Sequence, residues 1–194
     1  MHIAIEGLDG VGKTTTAKAL SEKIGFHFIE KPLHYLMTNG DDGMETYIRI
    51  MEKVNNETDL FFRSLYYSAG NCFTANIAKK INIVTDRHIA STYFWNHISG
   101  KNDNLFDMLI NYCGKPDFTF ILFAEQSVRQ TRIHKRNPND PDLKNKSFSD
   151  NEYDKLIDFV RYYDMPFFFL DTSQLSQEEV ISQMLYVLKN EGLI

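Results

Sequence analysis

Short apolar runs recur along the chain, and between them apolar residues fall at helical spacing. Residues 2–6 (His-Ile-Ala-Ile-Glu) read as a buried strand, with a glycine-rich turn directly after them. Residues 14–24 carry Ala17, Leu20 and Ile24 on one helical face, and Gly25 stops the helix. A second short strand follows at 26–29. Helices are expected at 43–54 and 59–80, a third strand at 81–85, and helices at 89–98 and 105–112. A fourth strand at 118–123 precedes a helix at 127–136. A fifth strand at 167–170 precedes a closing helix at 176–191, which opens on the capping box Ser176-Gln-Glu-Glu179. Strands separated by helices predict a parallel sheet with helices on both faces. Ligands of such sheets bind beyond the carboxyl ends of the strands. Residues 137–150, rich in Asn, Asp, Pro, Ser and Lys, read as a mobile loop within one domain spanning 1–194.

Composition narrows the function. The chain has 194 residues, 43% of them hydrophobic and 24% charged, an ordinary globular balance. Its formal net charge of -5 disfavours nucleic acid or an anionic membrane as partner. No stretch reaches the ~18 apolar residues of a membrane span. The start Met-His-Ile-Ala-Ile has no basic region and no long apolar run, so no signal peptide is expected. Cys72 and Cys113 cannot build a disulfide framework and lack metal-type spacing. They read as reduced, buried thiols of a cytoplasmic protein.

The chemistry starts at the first turn. Gly7-Leu8-Asp9-Gly10-Val11-Gly12-Lys13-Thr14 fits G-x-x-x-x-G-K-[ST], between a strand and a helix. Glycines let backbone N–H groups turn inward around phosphate oxygens, and the helix N-terminus adds positive potential. Lys13 would reach the β- and γ-phosphates, and Thr14 would place its hydroxyl on Mg²⁺. The loop, extended to Thr15, implies a nucleoside triphosphate without choosing between kinase, GTPase and motor. The third strand ends in Asp86-Arg87. An acid there is placed for Mg²⁺, and the adjacent guanidinium suits a phosphate. A capping Asp–Arg surface pair is the plain alternative.

The run Ile5-Glu6-Gly7-Leu8-Asp9-Gly10-Val11-Gly12-Lys13-Thr14-Thr15-Thr16 closely resembles the opening of thymidylate kinases. Asp86-Arg87-His88 with Ser91-Thr92 resembles that family's D-R-[YH]-x-x-S motif. Weaker matches keep the right order at Glu30-Lys31-Pro32, at 128–136 and at Leu170-Asp171-Thr172. The resemblance implies a three-layer P-loop NTPase α/β fold, a five-stranded parallel sheet with a short lid at about 133–150. It implies a homodimer that transfers the γ-phosphoryl of ATP, with Mg²⁺, to a deoxynucleoside monophosphate, dTMP foremost. By the same resemblance Asp9 touches the sugar 3′-hydroxyl and Arg87 holds the acceptor phosphate. Gly10 and Val11 leave no base in the loop, while Arg129, Arg132, Lys135 and Arg136 crowd the helix entering the lid. That matches the bacterial-type arrangement, with Arg132 and Arg136 as catalytic candidates. A solvated helix end is the plain alternative.

The chain also departs from the family. Thymine is usually read by Phe and, four residues on, Arg. Here one register puts Tyr67 and Asn71 at those positions, and another leaves Phe62 and Arg63 near the base. Arg63, Tyr67 and Asn71 share one helix face. Trp95 stands where Tyr usually crowds a 2′-hydroxyl. Phe123 replaces an acid, and residues 33–37 lack Gly-Gly-Thr. An Asn in place of the family's Arg would alter base reading, because Asn both donates and accepts, so a thymidylate-kinase-like protein with altered base specificity is one alternative. Two competing functions stand beside it. Deoxynucleoside kinases use an acid after the second strand as general base, and Glu30 could serve. A non-catalytic nucleotide switch would be expected to lose Lys13, Asp86 or Arg87, and all three are present.

Overall fold

The computed structural model describes residues 1–37, 43–140, 143 and 152–194. Five strands form one sheet: β1 (His2–Gly7), β2 (His27–Glu30), β3 (Ile83–Asp86), β4 (Phe118–Phe123) and β5 (Phe167–Asp171). Their order is β2-β3-β1-β4-β5, and every neighbouring pair is parallel. The α/β fold expected from the alternating pattern is what the chain adopts. Central β1 is buried along its whole length, and Ile3, Ile5, Phe120 and Ile121 form the middle of the core.

Eight helices surround the sheet in the described residues: α1 (Lys13–Ile24), α2 (Met44–Asn55), α3 (Leu60–Ala78), α4 (Ile89–Asn96), α5 (Asp103–Cys113), α6 (Gln126–Arg136), α7 (Tyr153–Tyr162) and α8 (Gln177–Asn190). Local chemistry sets several ends. Gly25, with φ of 73°, closes α1 in the left-handed region that a β-carbon disfavours. The Asp59 carboxylate caps α3 by accepting from the N–H groups of Phe61 and Phe62. Ser176 and Glu179 form the reciprocal capping box of α8.

The connections locate the crevice. The chain leaves β1 through α1 towards the β2 edge, and leaves β3 through α4 and α5 towards β4. Right-handed crossovers running in opposite directions put their helices on opposite faces. In agreement, α1 packs against α8, while α4 packs against α3 and α7. The chain therefore parts at the carboxyl ends of β1 and β3, which is where such sheets bind ligands.

Most elements start and stop within two residues of the sequence-based expectation. Two were not expected. Helix α7 buries Tyr153, Leu156, Phe159 and Val160, and a 3₁₀ turn runs over Pro32–Leu36 after Lys31, whose φ is 43°. The expected lid and mobile loop fall largely on 141–142 and 144–150, outside the described residues; 133–136 belong to α6. Among described residues no helix is long and apolar enough to cross a membrane. The two cysteines are free and half-buried rather than buried, with their Sγ atoms 3.4 Å apart.

Candidate active site

The loop after β1 is shaped by close backbone approach. A β-carbon on Gly7 (φ 139°) would lie 2.4 Å from the Leu122 carbonyl oxygen, and one on Gly10 (φ 84°) 2.7 Å from that of Arg129. Only glycine lets the loop run so near β4 and α6. Leu8 and Val11 are buried and anchor it, while Thr14 and Thr15 are exposed at the open start of α1. Gly12, left-handed at φ of 96°, immediately precedes that helix. The Lys13 ammonium arches back over the loop, donating to the Leu8 carbonyl at 2.7 Å and lying 3.6 Å from the Asp9 carboxylate. Burial, with Arg87 adding, pulls its pKa down to about 8, against the opposing pull of Asp9.

Strand β3 brings the second half. The Thr14 hydroxyl donates to Asp86 Oδ2. Asp86 Oδ1 is buried with no hydrogen-bond partner. An orphaned carboxylate oxygen beside a threonine hydroxyl is a hard oxygen donor pair suited to Mg²⁺.

Arg87 follows in the left-handed region, at φ of 71°, with its N–H donating to the Ile5 carbonyl at 2.9 Å. Its guanidinium donates to the Asp9 carboxylate, to Ser91 Oγ at 3.2 Å and to the Gly7 carbonyl at 3.5 Å. Burial pushes the Asp9 carboxyl upward, but the Arg87 and Lys13 charges outweigh it and the net displacement is downward. Asp9 is therefore an anion wedged between two cations.

A cleft of about 910 Å³ opens beside this cluster, lined by Asp9, Arg87 and Asp86 and by Arg63, Tyr67, Asn71 and Trp95 from α3 and α4, with Arg136 also in its wall. Positions 63, 67 and 71 share the inner face of α3, as the i, i+4, i+8 spacing requires. The Tyr67 hydroxyl donates to Asn55 Oδ1 at 2.6 Å, and Asn71 Nδ2 donates to Thr92 Oγ1 at 2.9 Å. Phe62 is 48% exposed and lies outside the cleft lining. Phe62 points about 100° away from Arg63 around the helix axis, and that turn carries its ring towards solvent.

The basic residues of α6 separate in space. Arg129 is buried and donates from Nε to the Ala124 carbonyl at 2.9 Å. Arg132 faces the back of the phosphate loop, donating to the Val11 carbonyl at 3.2 Å and, from Nη2, to the Thr172 carbonyl at 2.8 Å. Arg136 reaches the cleft, donates to Asp140 Oδ2 at 2.6 Å, and its charge is felt by the Asp9 carboxyl. The structure thus brings Lys13, Asp9, Arg87 and Arg136 together, with Thr14 and Asp86 beside them. It places Arg132 against the back of the loop after β1.

Three further polar residues belong to this region. Glu6 is fully buried beneath the site, and Ser91 and Thr92 bond Arg87 and Asn71 respectively. A signal for Glu6 was present, since an acid ends an otherwise apolar strand. Glu30 sits at the end of β2 beside Asp86, and its carboxylate pairs with Lys31 Nζ at 3.1 Å.

Comparison with known proteins gives a concordant picture. A thymidylate kinase family model matches residues 5–184. A probable thymidylate kinase of Methanocaldococcus jannaschii is 26% identical over 194 residues, covering 98% of this chain and 96% of the relative. Probable thymidylate kinase 1 of Saccharolobus solfataricus is 27% identical over 191 residues, covering 96% of each. Among solved structures, deoxyadenosine kinase from M. mycoides with bound dATP superposes with a TM-score of 0.65 at 22% identity, over 97% of this chain and 100% of that one. Thymidylate kinase from Candida albicans does so with a TM-score of 0.63 at 19% identity, over 99% and 92%. At those identities the structural likeness speaks for the fold alone.

Proposed function

The chain belongs to the thymidylate kinase family, and on that premise we propose that it phosphorylates dTMP to dTDP with ATP as donor. It is a nucleoside monophosphate kinase. The observation that carries the acceptor assignment is the Asp9–Arg87 pair, set between the phosphate loop and the cleft. A monophosphate acceptor needs a cation at its phosphate, whereas a nucleoside hydroxyl needs a base.

In this reading the loop 7–15 cradles the ATP phosphates, with the Lys13 ammonium on the β- and γ-oxygens. Thr14 and Asp86 would hold Mg²⁺, which would offset negative charge on those oxygens. Arg87 orients the acceptor phosphate in line, and Asp9 receives the sugar 3′-hydroxyl. Trp95 crowds the sugar's 2′ side and so favours deoxyribose. Tyr67, Asn71 and Arg63 face the base. Arg136 supplies further positive charge from the lid side, and Arg132 clamps the donor loop to the segment after β5. Phosphoryl transfer is mostly positioning and charge neutralisation, so this division leaves no covalent task to the protein. The same reading makes the protein a cytoplasmic homodimer whose partners are nucleotides rather than nucleic acid.

Variants separate this from nucleoside kinase chemistry. Lys13→Ala should remove most turnover with the fold intact by circular dichroism. Arg87→Ala should raise the KM for dTMP and lower kcat together. Glu30→Gln should have little effect. Loss of ~10²–10⁴ in rate on Glu30→Gln, the scale of a missing general base, would assign the alternative instead.

A further inference from the structure

Glu6 is a buried carboxylate that phosphoryl transfer does not call for. Its Oε1 accepts from the His88 N–H at 2.9 Å and the Ser91 N–H at 3.2 Å, two amides at the start of α4. Its Oε2 accepts from the Ser91 hydroxyl. His88, at the N-cap of α4, makes no side-chain capping bond, so Glu6 caps this helix from the neighbouring strand. Arg87 immediately precedes this cap, in a left-handed conformation that a β-carbon disfavours and its surroundings must hold.

We propose that Glu6 is a positioning residue for the acceptor-phosphate arginine, acting through Ser91; this rests on the role given to Arg87 above. A hydroxyl has one hydrogen to give. Three donors converge on Glu6, so in its ionised form the carboxylate only accepts: it takes the Ser91 hydrogen and leaves an oxygen lone pair facing Arg87 Nη1 at 3.2 Å. The guanidinium is then held from both sides, by Ser91 Oγ and by the Asp9 carboxylate. A glutamine at position 6 keeps the volume and can still accept the two backbone amides. Its NH₂ group, however, donates to Ser91 and turns the hydroxyl hydrogen towards Arg87, donor against donor.

Steady-state kinetics on the full chain test this, using ATP·Mg²⁺ and dTMP with Glu6→Gln, Ser91→Ala and Arg87→Ala alone and combined. Glu6→Gln and Ser91→Ala should each raise the KM for dTMP about tenfold, the scale of lost supporting hydrogen bonds behind a ligating residue. The KM for ATP should stay within about twofold. In the Arg87→Ala background neither change should lower kcat/KM for dTMP by more than about twofold further, because residues acting as one unit are not additive. Equal rises in both KM values, or additive losses with Arg87→Ala, overturn the proposal and leave Glu6 as part of the packing. If Glu6→Gln does not fold, Ser91→Ala carries the same comparison. Wild-type turnover of dTMP that falls in Arg87→Ala supports the parent reading; unchanged dTMP KM in Ser91→Ala then overturns the positioning role alone.

Discussion

Arg132 and Arg136 stand one turn apart on α6, yet their guanidinium groups meet different partners. Arg132 bonds the backbone of the phosphate loop and of the segment after β5, whereas Arg136 reaches the cleft wall near Asp9. Arg132→Ala should therefore raise the KM for ATP with a smaller change in kcat. Arg136→Ala should lower kcat by about 10²-fold or more, as for cations that act in the transition state. Identical kinetic signatures in the two variants would contradict this division. Glu6 gives a pH prediction. Burial raises its carboxyl pKa against the pull of Ser91, Arg87 and the backbone amides. The folded state then holds a proton that the unfolded state releases as pH rises from about 4.5, so this group's contribution falls with rising pH. In thermal melts, wild type should gain on Glu6→Gln as pH is lowered towards that value. A gap independent of pH would place Glu6 at its ordinary pKa. At this scale the phosphate loop was legible because only a run of glycines before Lys13 satisfies its backbone. The choice between Phe62 and Tyr67 was not, because one helix offers several aromatic registers and packing decides which face turns inward.

Helix α7 shows what the pattern hides. Its buried residues Tyr153, Leu156, Phe159 and Val160 have helical spacing, but they follow a polar segment that draws attention to loop chemistry. The helix packs against α4, which follows directly on Arg87 and its N-cap His88. Leu156→Ala should thus destabilise the fold by about 2–5 kcal/mol, measured by urea unfolding, because it leaves a cavity in the hydrophobic core. At the other end, Ser176→Ala removes the side-chain half of a capping box and should cost about 1 kcal/mol. A loss as large as that of Leu156→Ala would mean that Ser176 does more than cap. The strands were legible because each is an apolar run of strand length. Their order was not, since long-range pairing leaves no local mark; crossover handedness and the point where the chain parts supply it.

The whole molecule carries a net charge of -5, yet Lys13, Arg87 and Arg136 converge at one end of the sheet, with Arg63 further along the cleft. Within an acidic chain, cations gathered around a phosphate loop make a local site of positive potential suited to a phosphate group. In the proposed reaction the acceptor already bears a phosphate, held by Arg87. Phosphorus NMR of products formed from ATP·Mg²⁺ with either dTMP or thymidine measures it directly. The expected result is a diphosphate signal of dTDP from dTMP, with thymidine left unchanged; dTMP formed from thymidine, with added dTMP inert, would contradict it.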